Sequence, residues 1–255
     1  MSESPVLVET SEGIMTITLN RPKARNAVNK AVATGVAEAV DQLEADDSLR
    51  AAILTGAGGT FCSGMDLKAF VSGETPVVEG RGFGGLCEYT AAKPIIAAVE
   101  GYALAGGFEL AISCDLIVAA SDSQFGIPEV KRGLAAGAGG LAKLPKQIPP
   151  RIAMELALTG DFISAGRAYE LGLINRVVES GEAVAAAVAL ARSIAANGPL
   201  AVAASKAVVD RAPDWSSAEM FEEQLKIIQP VFTSQDAIEG ATAFAEKRAP
   251  QWKGK

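Results

Sequence analysis

Residues 96–115 read IAAVEGYALAGGFELAISCD, and this stretch decides the fold class. It opens with an apolar run typical of a buried strand, passes through Gly106-Gly107, and enters an apolar segment with helical spacing. A glycine turn that leads directly into a helix presents backbone N–H groups without partners inside the helix. Such N–H groups can bind an anion. The stretch therefore predicts a buried strand and a helix start that together can bind negative charge.

A second glycine turn lies upstream of the first. Residues 55–67 read TGAGGTFCSGMDL, in which Asp66 can cap a short helix that follows the glycines. For either turn alone an ordinary strand-to-helix connection remains an alternative, because glycines occur in many loops. Neither turn matches GxGxxG or the P-loop pattern GxxxxGK followed by Ser or Thr. A dinucleotide site and a P-loop are therefore disfavoured.

Two acidic residues accompany these turns. Glu109 lies in the otherwise apolar segment 108–112, and burying an ionised carboxylate is costly unless it is paired. The alternative is an exposed glutamate in the first helical turn, which the helix dipole favours. Glu129 follows Pro128 in the segment QFGIPEVKRG, where a plain surface acid is the alternative. Considered with the two N–H turns, the two glutamates form a coherent acid–base set.

The composition restricts the chemistry further. The chain has 255 residues, a formal net charge of −7 and no histidine. Without histidine, Ser-His-Asp catalysis, Cys-His catalysis and histidine metal sites are excluded, so acid–base work must involve other side chains. The three cysteines are widely spaced and lack a CxxC pair, which favours reduced thiols over disulfides or a metal site. The acidic charge disfavours nucleic-acid binding.

The chain is expected to be cytoplasmic. Its N-terminal segment MSESPVLVET has neither the basic region nor the apolar region of a secretory signal. The longest apolar stretch, residues 183–196, is rich in alanine, contains Arg192 and is too short to span a membrane. No membrane partner is therefore expected.

The whole chain alternates strand and helix patterns, which predicts an α/β fold with buried, mostly parallel strands. Periodicity alone does not choose between a wound open sheet and a spiral. Segment 72–85 has the composition of a mobile surface loop. Beyond residue 198 the pattern is entirely helical, so we divide the chain into a core, 1–197, and a C-terminal region, 198–255. Strands are predicted at 6–9, 14–19, 51–54, 94–99, 116–119 and 174–178, and helices at 31–43, 80–92, 106–113, 150–158, 199–211, 216–231 and 235–248.

Several segments resemble motifs of the crotonase superfamily, the enoyl-CoA hydratase/isomerase family. They are RPKARNAVN, FCSGMDL, GYALAGGFELAISCDLIVA, FGIPEVKRGL, ALTGDFISAGRAYELGLINRVV and FAEKRAPQWKG, in the family's order and across nearly the whole chain. The resemblance implies a crotonase-type spiral of repeated ββα units with a C-terminal helical region. It also implies assembly into homotrimers or homohexamers, the latter as dimers of trimers.

The resemblance also assigns candidate site residues. The acyl thioester oxygen would lie between the N–H groups of Ser63 and Gly106, and Glu109 and Glu129 would be the catalytic pair. No cofactor is implied, because coenzyme A is part of the substrate. Two departures concern Ala105, which replaces the first glycine of a common triplet, and segment 133–137, which lacks a frequent proline. Contacts to coenzyme A or substrate are implied for Ala24, Arg25, Ser63, Gly64, Asp66, Leu67, Gly106, Phe244 and Lys247, the last two often from a neighbouring subunit.

The expected function is enoyl-CoA hydratase, which adds water reversibly to a 2-enoyl-CoA thioester, as in the β-oxidation of fatty acids. An enoyl-CoA isomerase or a specialised dehydratase of hydroxyacyl- or carnitinyl-CoA is the nearest alternative. A non-catalytic acyl-CoA binding protein is a second alternative, which the paired glutamates disfavour.

Overall fold

The computed structural model describes residues 4–255. Its strands are β1 (Val6–Ser11), β2 (Ile14–Leu19), β3 (Ala51–Gly56), β4 (Val77–Val78), β5 (Gly82–Phe83), β6 (Ile95–Val99), β7 (Tyr102–Leu104), β8 (Leu116–Ala120), β9 (Gln124–Gly126), β10 (Ile163–Ser164) and β11 (Arg176–Val178). Its helices are α1 (Lys30–Ala45), α2 (Leu67–Val71), α3 (Gly106–Ala111), α4 (Gly140–Gln147), α5 (Pro150–Thr159), α6 (Ala165–Glu170), α7 (Ala183–Ala195), α8 (Pro199–Arg211), α9 (Met220–Phe232) and α10 (Gln235–Glu246).

Six strands form the central sheet, in the order β1-β2-β3-β6-β8-β11. Only the first pair, β1 and β2, is antiparallel, and all later neighbours are parallel. Strands β3 and β6 are buried along almost their whole length, which explains why they read as continuous apolar runs without alternation.

A second, smaller sheet runs beside the first and makes the fold a spiral. Strands β7, β9 and β10 form this sheet, and an isolated parallel bridge joins Cys62 to Ala103 of β7. After each of β3, β6 and β8, the chain leaves the central sheet and enters this second layer within a few residues. The expected spiral of ββα units is confirmed. The repeat has no sequence signature because its second strands have only two or three residues.

Helices cover both faces of the central sheet. Helix α1 packs in the main core through an apolar stripe, and the Asn29 side chain caps it by accepting the Val32 N–H at 3.1 Å. Helix α7 covers the opposite face with three fully buried alanines, whose small side chains allow close approach to the strands. The alanine-rich stretch 183–196 is therefore core helix. Within residues 4–255 no single helix is long and apolar enough to cross a membrane.

Two expectations for the region before β6 are wrong. Residues 80–92 do not form a helix but the short strand β5 followed by turns, because four glycines, including Gly82 and Gly84 at positive φ, break helical backbone geometry. Segment 72–85 is not wholly a surface loop: β4 and β5 pair as a hairpin, and Phe83 is buried in the core.

The C-terminal region consists of the three expected helices and a terminal strap. Asp236 at the start of α10 is buried and accepts the N–H groups of Lys253 and Gly254 at 2.7 and 3.0 Å. The Trp252 indole N–H donates to the carbonyl of Ala196 at 2.8 Å. The strap thus ties the last helix to the end of α7. The division at residues 197 and 198 falls in the turn between α7 and α8 and remains a prediction.

Candidate active site

A cleft of about 800 Å³ brings together both glycine turns and both candidate glutamates. Its walls come from the segments that follow β2, β3, β6 and β8 and from the region of the β4–β5 hairpin, so the spiral places distant parts of the sequence around one space. A larger groove of about 1020 Å³ lies between the core and α8, but neither glutamate and neither glycine turn lines it. The smaller cleft is therefore the candidate site.

The first backbone donor is Gly106. It is the first residue of α3, so its N–H has no acceptor inside the helix, and it donates to no other backbone carbonyl within residues 4–255. The preceding residue, Ala105, accepts the N–H groups of Phe108 and Glu109 at 2.8 and 3.0 Å. Ala105 has φ 54° and ψ −130°, a conformation that glycine adopts far more readily than alanine. Ala105, which replaces the first glycine of the common triplet, is therefore a site of backbone strain.

The second expected donor, Ser63, is corrected by the structure. The Ser63 N–H already donates to the carbonyl of Arg25 at 3.0 Å. Two residues later the chain forms a parallel bridge with Val28, which uses the Gly64 carbonyl and the Asp66 N–H, both at 2.8 Å. The N–H of Met65 therefore points away from this bridge and donates to no backbone carbonyl in the described part of the chain. Met65 also lines the cleft.

Gly64 explains how the two turns come close together. Its φ is 102°, and a Cβ built on it would lie 2.8 Å from the Cβ of Ala105 and 3.3 Å from the nitrogen of Gly106. Only glycine fits this contact without displacing the neighbouring turn. The Met65 N–H and the Gly106 N–H thus belong to touching segments, and an oxyanion can accept both of them.

Glu109 lies at the inner end of the cleft and is only 2% exposed. One carboxylate oxygen, Oε1, accepts the N–H groups of Ala138 at 2.7 Å and Gly140 at 2.8 Å. Gly140 is the first residue of α4, so the carboxylate also faces the positive end of that helix. Burial raises the pKa of Glu109, while the two N–H groups oppose the rise by stabilising the ionised form.

Glu129 has a different environment. It lies in a 3-10 turn (Pro128–Arg132), is half-buried and lines the cleft. Its Oε2 is buried and has no hydrogen-bond partner among residues 4–255. Burial raises the pKa of Glu129 to about 7, and the charge of Glu109 contributes to the rise. The two carboxyl groups therefore differ in proton affinity: two hydrogen bonds favour the ionised form of Glu109, whereas burial leaves Glu129 with a pKa of about 7, so that its protonated form is present near neutral pH.

The residues expected to contact coenzyme A divide into two groups. Ala24, Arg25, Asp66 and Leu67 line the cleft, and so does Ser63. Lys23 and Lys68 contribute further positive charge beside Arg25, a suitable surface for phosphate groups. The Asp66 carboxylate has a structural role. It accepts the N–H groups of Lys68 and Ala69, which caps α2, and it pairs with Arg21 at 2.8 Å.

The other group does not reach the cleft of its own chain. Gly64 lies behind the lining residues, and Phe244 and Lys247 lie at the end of α10. Phe244 is 86% exposed. Phe244 and Lys247 are thus both exposed at the surface and are not among the residues that line the cleft.

Sequence reasoning missed two residues of the site. Met65 was missed because a serine and a methionine two positions apart cannot be ranked as N–H donors without knowing the local pairing. Phe83 was missed because its segment was assigned to a helix; its ring lies against Gly106, where a built Cβ would be 2.4 Å from Cζ. The glycine-rich pattern GRGFGG was the available signal for an irregular turn there.

Comparisons with known proteins agree with this geometry. The sequence model of the enoyl-CoA hydratase/isomerase family matches residues 9–255. A carnitinyl-CoA dehydratase of Proteus mirabilis is 42% identical over 263 residues, covering 100% of both chains. The crystal structure of an enoyl-CoA hydratase from Mycobacterium tuberculosis is 63% identical and superposes with a TM-score of 0.97, covering 99% of this chain and 100% of that chain. That of a carnitinyl-CoA hydratase from Mycobacterium avium is 43% identical, with a TM-score of 0.78 and 100% of both chains covered.

The match spans nearly the whole chain, the identities exceed 40% over full length, and the spiral fold is shared. The chain therefore belongs to the enoyl-CoA hydratase/isomerase family.

Proposed function

We propose that this protein catalyses the reversible addition of water to 2-enoyl-CoA thioesters, giving 3-hydroxyacyl-CoA. The observation that supports this most strongly is the pairing of two unlike carboxyl groups in a cleft that also contains two free backbone N–H groups. Hydration needs an ionised base, a protonated acid and a site for developing negative charge on the thioester oxygen. Each requirement corresponds to a group described above.

The N–H groups of Met65 and Gly106 would bind the thioester oxygen. As water attacks Cβ, electrons move through the conjugated system and this oxygen becomes negatively charged. Two fixed donors stabilise that charge more than they stabilise the neutral thioester, which lowers the barrier. Loss of one such donor typically costs about 2.7–4 kcal/mol.

The proton transfers follow from the two glutamate environments. The N–H groups of Ala138 and Gly140 stabilise the ionised form of Glu109. Glu109 takes a proton from the water molecule as the water oxygen bonds to Cβ. Glu129, protonated near neutral pH, gives its proton to Cα. The product is 3-hydroxyacyl-CoA, with Glu109 protonated and Glu129 ionised. Transfer of one proton between the coupled pair restores the starting state.

Binding of coenzyme A and assembly are part of the same proposal. Lys23, Arg25 and Lys68 would contact its phosphates, and Phe244 and Lys247 of a neighbouring subunit would complete the site in a homotrimer or homohexamer. Exposure of Phe244 supports this, because a large aromatic side chain on the surface is typical of an interface. We also propose a cytoplasmic location and a role in fatty-acid β-oxidation.

The test is a hydration assay with crotonyl-CoA, following loss of the enoyl thioester absorbance. We expect turnover by the natural chain and a fall of at least about 100-fold in Glu109→Gln and Glu129→Gln, because each removes one proton-transfer group. Glu155→Gln, on the exposed face of α5, is the matched control. Near-normal turnover by either site variant would contradict the assigned roles.

We propose dehydration of carnitinyl-CoA as a second candidate activity, supported by one further side chain. Glu88 lines the same cleft and folds back over Gly82, where a built Cβ would lie 2.5 Å from Glu88 Cγ. Phe83, the residue after Gly82, also lines this cleft. A carboxylate and an aromatic ring suit the quaternary ammonium of a carnitinyl group.

Two substrates of equal shape separate the candidates. 4-Trimethylammoniobut-2-enoyl-CoA has a positive charge, and 5,5-dimethylhex-2-enoyl-CoA replaces its nitrogen by carbon. If Glu88 recognises the cation, Glu88→Gln lowers the preference for the charged substrate by roughly two- to fivefold, the range for a solvent-exposed pair. Glu79→Gln, on the exposed turn of the β4–β5 hairpin, is the control. An unchanged preference in Glu88→Gln would refute this second candidate.

A further inference from the structure

A half-buried lysine lies behind Glu109 and has no part in the chemistry proposed above. Lys143 is in the first turn of α4, three residues after Gly140, which donates to the Glu109 carboxylate. The Lys143 ammonium donates to the carbonyl of Cys87 at 2.7 Å and to Ser113 Oγ at 2.8 Å. Ser113 Oγ in turn donates to the backbone carbonyl of Glu109 at 2.7 Å. One cation therefore joins three segments that surround Glu109.

These contacts fix the position of the N–H groups that hold the carboxylate. The turn containing Cys87, the end of α3 and the start of α4 are distant in sequence, and the ammonium is bonded to the first two while belonging to the third. If α4 shifted, the Gly140 N–H would leave the Glu109 carboxylate. Hydrogen bonds from a charged, partly buried ammonium are stronger than neutral ones, so they oppose such a shift.

The charge of Lys143 also acts on Glu109 directly. The titratable groups that face Glu109 are Glu129 across the cleft, the Cys87 thiol behind it and Lys143. Lys143 is the cation of this set, and it lowers the pKa of Glu109 against the effect of burial. Arg132, another positive side chain on the cleft wall, acts on Glu129 instead. Lys143 thus lowers the pKa of Glu109 without a hydrogen bond to the Glu109 carboxylate.

We infer that Lys143 is a positioning residue for the reaction: it holds the N-terminus of α4, and with it the Gly140 N–H, against the Glu109 carboxylate. This inference rests on the proposed hydratase function, in which Glu109 must be ionised to accept a proton from water. The position of the acid limb of the pH profile should therefore depend on Lys143 as well as on the N–H groups of Ala138 and Gly140.

The experiment compares Lys143→Met, Lys143→Arg and the matched control Lys146→Met. Lys146 lies one turn further along α4, is exposed and pairs with Asp214 at 3.1 Å. For crotonyl-CoA hydration between pH 6 and 9, Lys143→Met should lose about tenfold or more in kcat/KM at pH 7, with its acid limb moved to higher pH. Lys143→Arg should restore most of the activity and the position of the limb, and Lys146→Met should resemble the natural chain.

A second measurement does not depend on turnover. Carboxyl-carbon NMR of the ligand-free protein follows the titration of Glu109 in the natural chain and in Lys143→Met, or in Lys143→Gln where the methionine variant does not fold. A higher titration midpoint in the uncharged variant supports the inference even if no hydration is found, a result that would refute only the proposed function. An unchanged midpoint, or an acid limb that stays in place while activity falls, would overturn the inference.

Discussion

Replacement of Glu129 by glutamine should make the protein more stable while it removes activity. In the folded chain the pKa of this carboxyl is raised to about 7 from its ordinary value of 4.5, mainly because it is buried. The folded state therefore binds this proton more tightly than the unfolded state does. The contribution of this carboxyl group to the free energy of unfolding is highest where both states hold the proton, below about pH 4.5. This contribution is lost as the pH rises through about 7.

The size of the effect follows from the two pKa values. At 1.36 kcal/mol for each pH unit, the span from 4.5 to about 7 corresponds to about 3 kcal/mol lost at alkaline pH. The side chain is only half-buried, so solvent reduces this value, and we expect roughly 1–2 kcal/mol. Glutamine has a similar shape and cannot ionise. Glu129→Gln should therefore exceed the natural chain in free energy of unfolding by that amount at pH 8.5.

Urea unfolding at pH 8.5 and pH 6, at one fixed protein concentration, measures this difference. The advantage of Glu129→Gln should shrink by roughly 0.5 kcal/mol at pH 6, where the folded natural chain is mostly protonated at this site. Glu155→Gln on the exposed face of α5 should show no such pH dependence. If Glu129→Gln were no more stable than the natural chain at pH 8.5, the carboxyl would not be desolvated, and its role as a proton donor near neutral pH would lose its physical basis.

Three further predictions concern the oxyanion site and the glutamate pair. Ala105→Gly should raise the free energy of unfolding by roughly 1 kcal/mol, because glycine relieves the strain at φ 54° and ψ −130°; a loss of stability in urea unfolding would contradict it. Gly64→Ala should lower kcat for crotonyl-CoA at least about 100-fold, because the new methyl group lies 2.8 Å from the Ala105 Cβ and 3.3 Å from the Gly106 nitrogen. Gly166→Ala, at a helical glycine with open space around it, should leave kcat unchanged. The kcat/KM for hydration should fall as the pH rises above about 7, where Glu129 loses the proton that Cα needs; a flat profile up to pH 9 would exclude Glu129 as that donor.

Much of the site could be predicted because its chemistry lies in short local patterns. A glycine turn before a helix has free N–H groups whatever the rest of the chain does, so the turn at Gly106-Gly107 was identified from residues 96–115 alone. The family resemblance then indicated which N–H group of that turn would be the donor. An acid within an apolar helix likewise implies a buried partner, and Glu109 has two of them. The helix at 31–43 was predicted from local spacing, and the Asn29 cap that begins it is likewise a local feature.

Other features depended on pairing that the local pattern does not contain. The second N–H donor shifted from Ser63 to Met65 because a bridge to Val28 determines which N–H groups in an extended segment are used and which are free. Residues 80–92 were predicted as a helix, but their glycines at positive φ allow a hairpin and turns that place Phe83 against Gly106. Neither outcome follows from composition.

The sequence by itself determined the α/β class, the glycine turns, the two glutamates and the absence of histidine chemistry, since these are properties of residue type and short spacing. Tertiary structure alone decided how the glutamates differ. The N–H groups that hold Glu109 come from Ala138 and Gly140, about thirty residues further along the chain, and no such donor reaches Oε2 of Glu129. Solvation and hydrogen bonding set a carboxyl group's proton affinity, and both depend on which distant segments the spiral brings beside it.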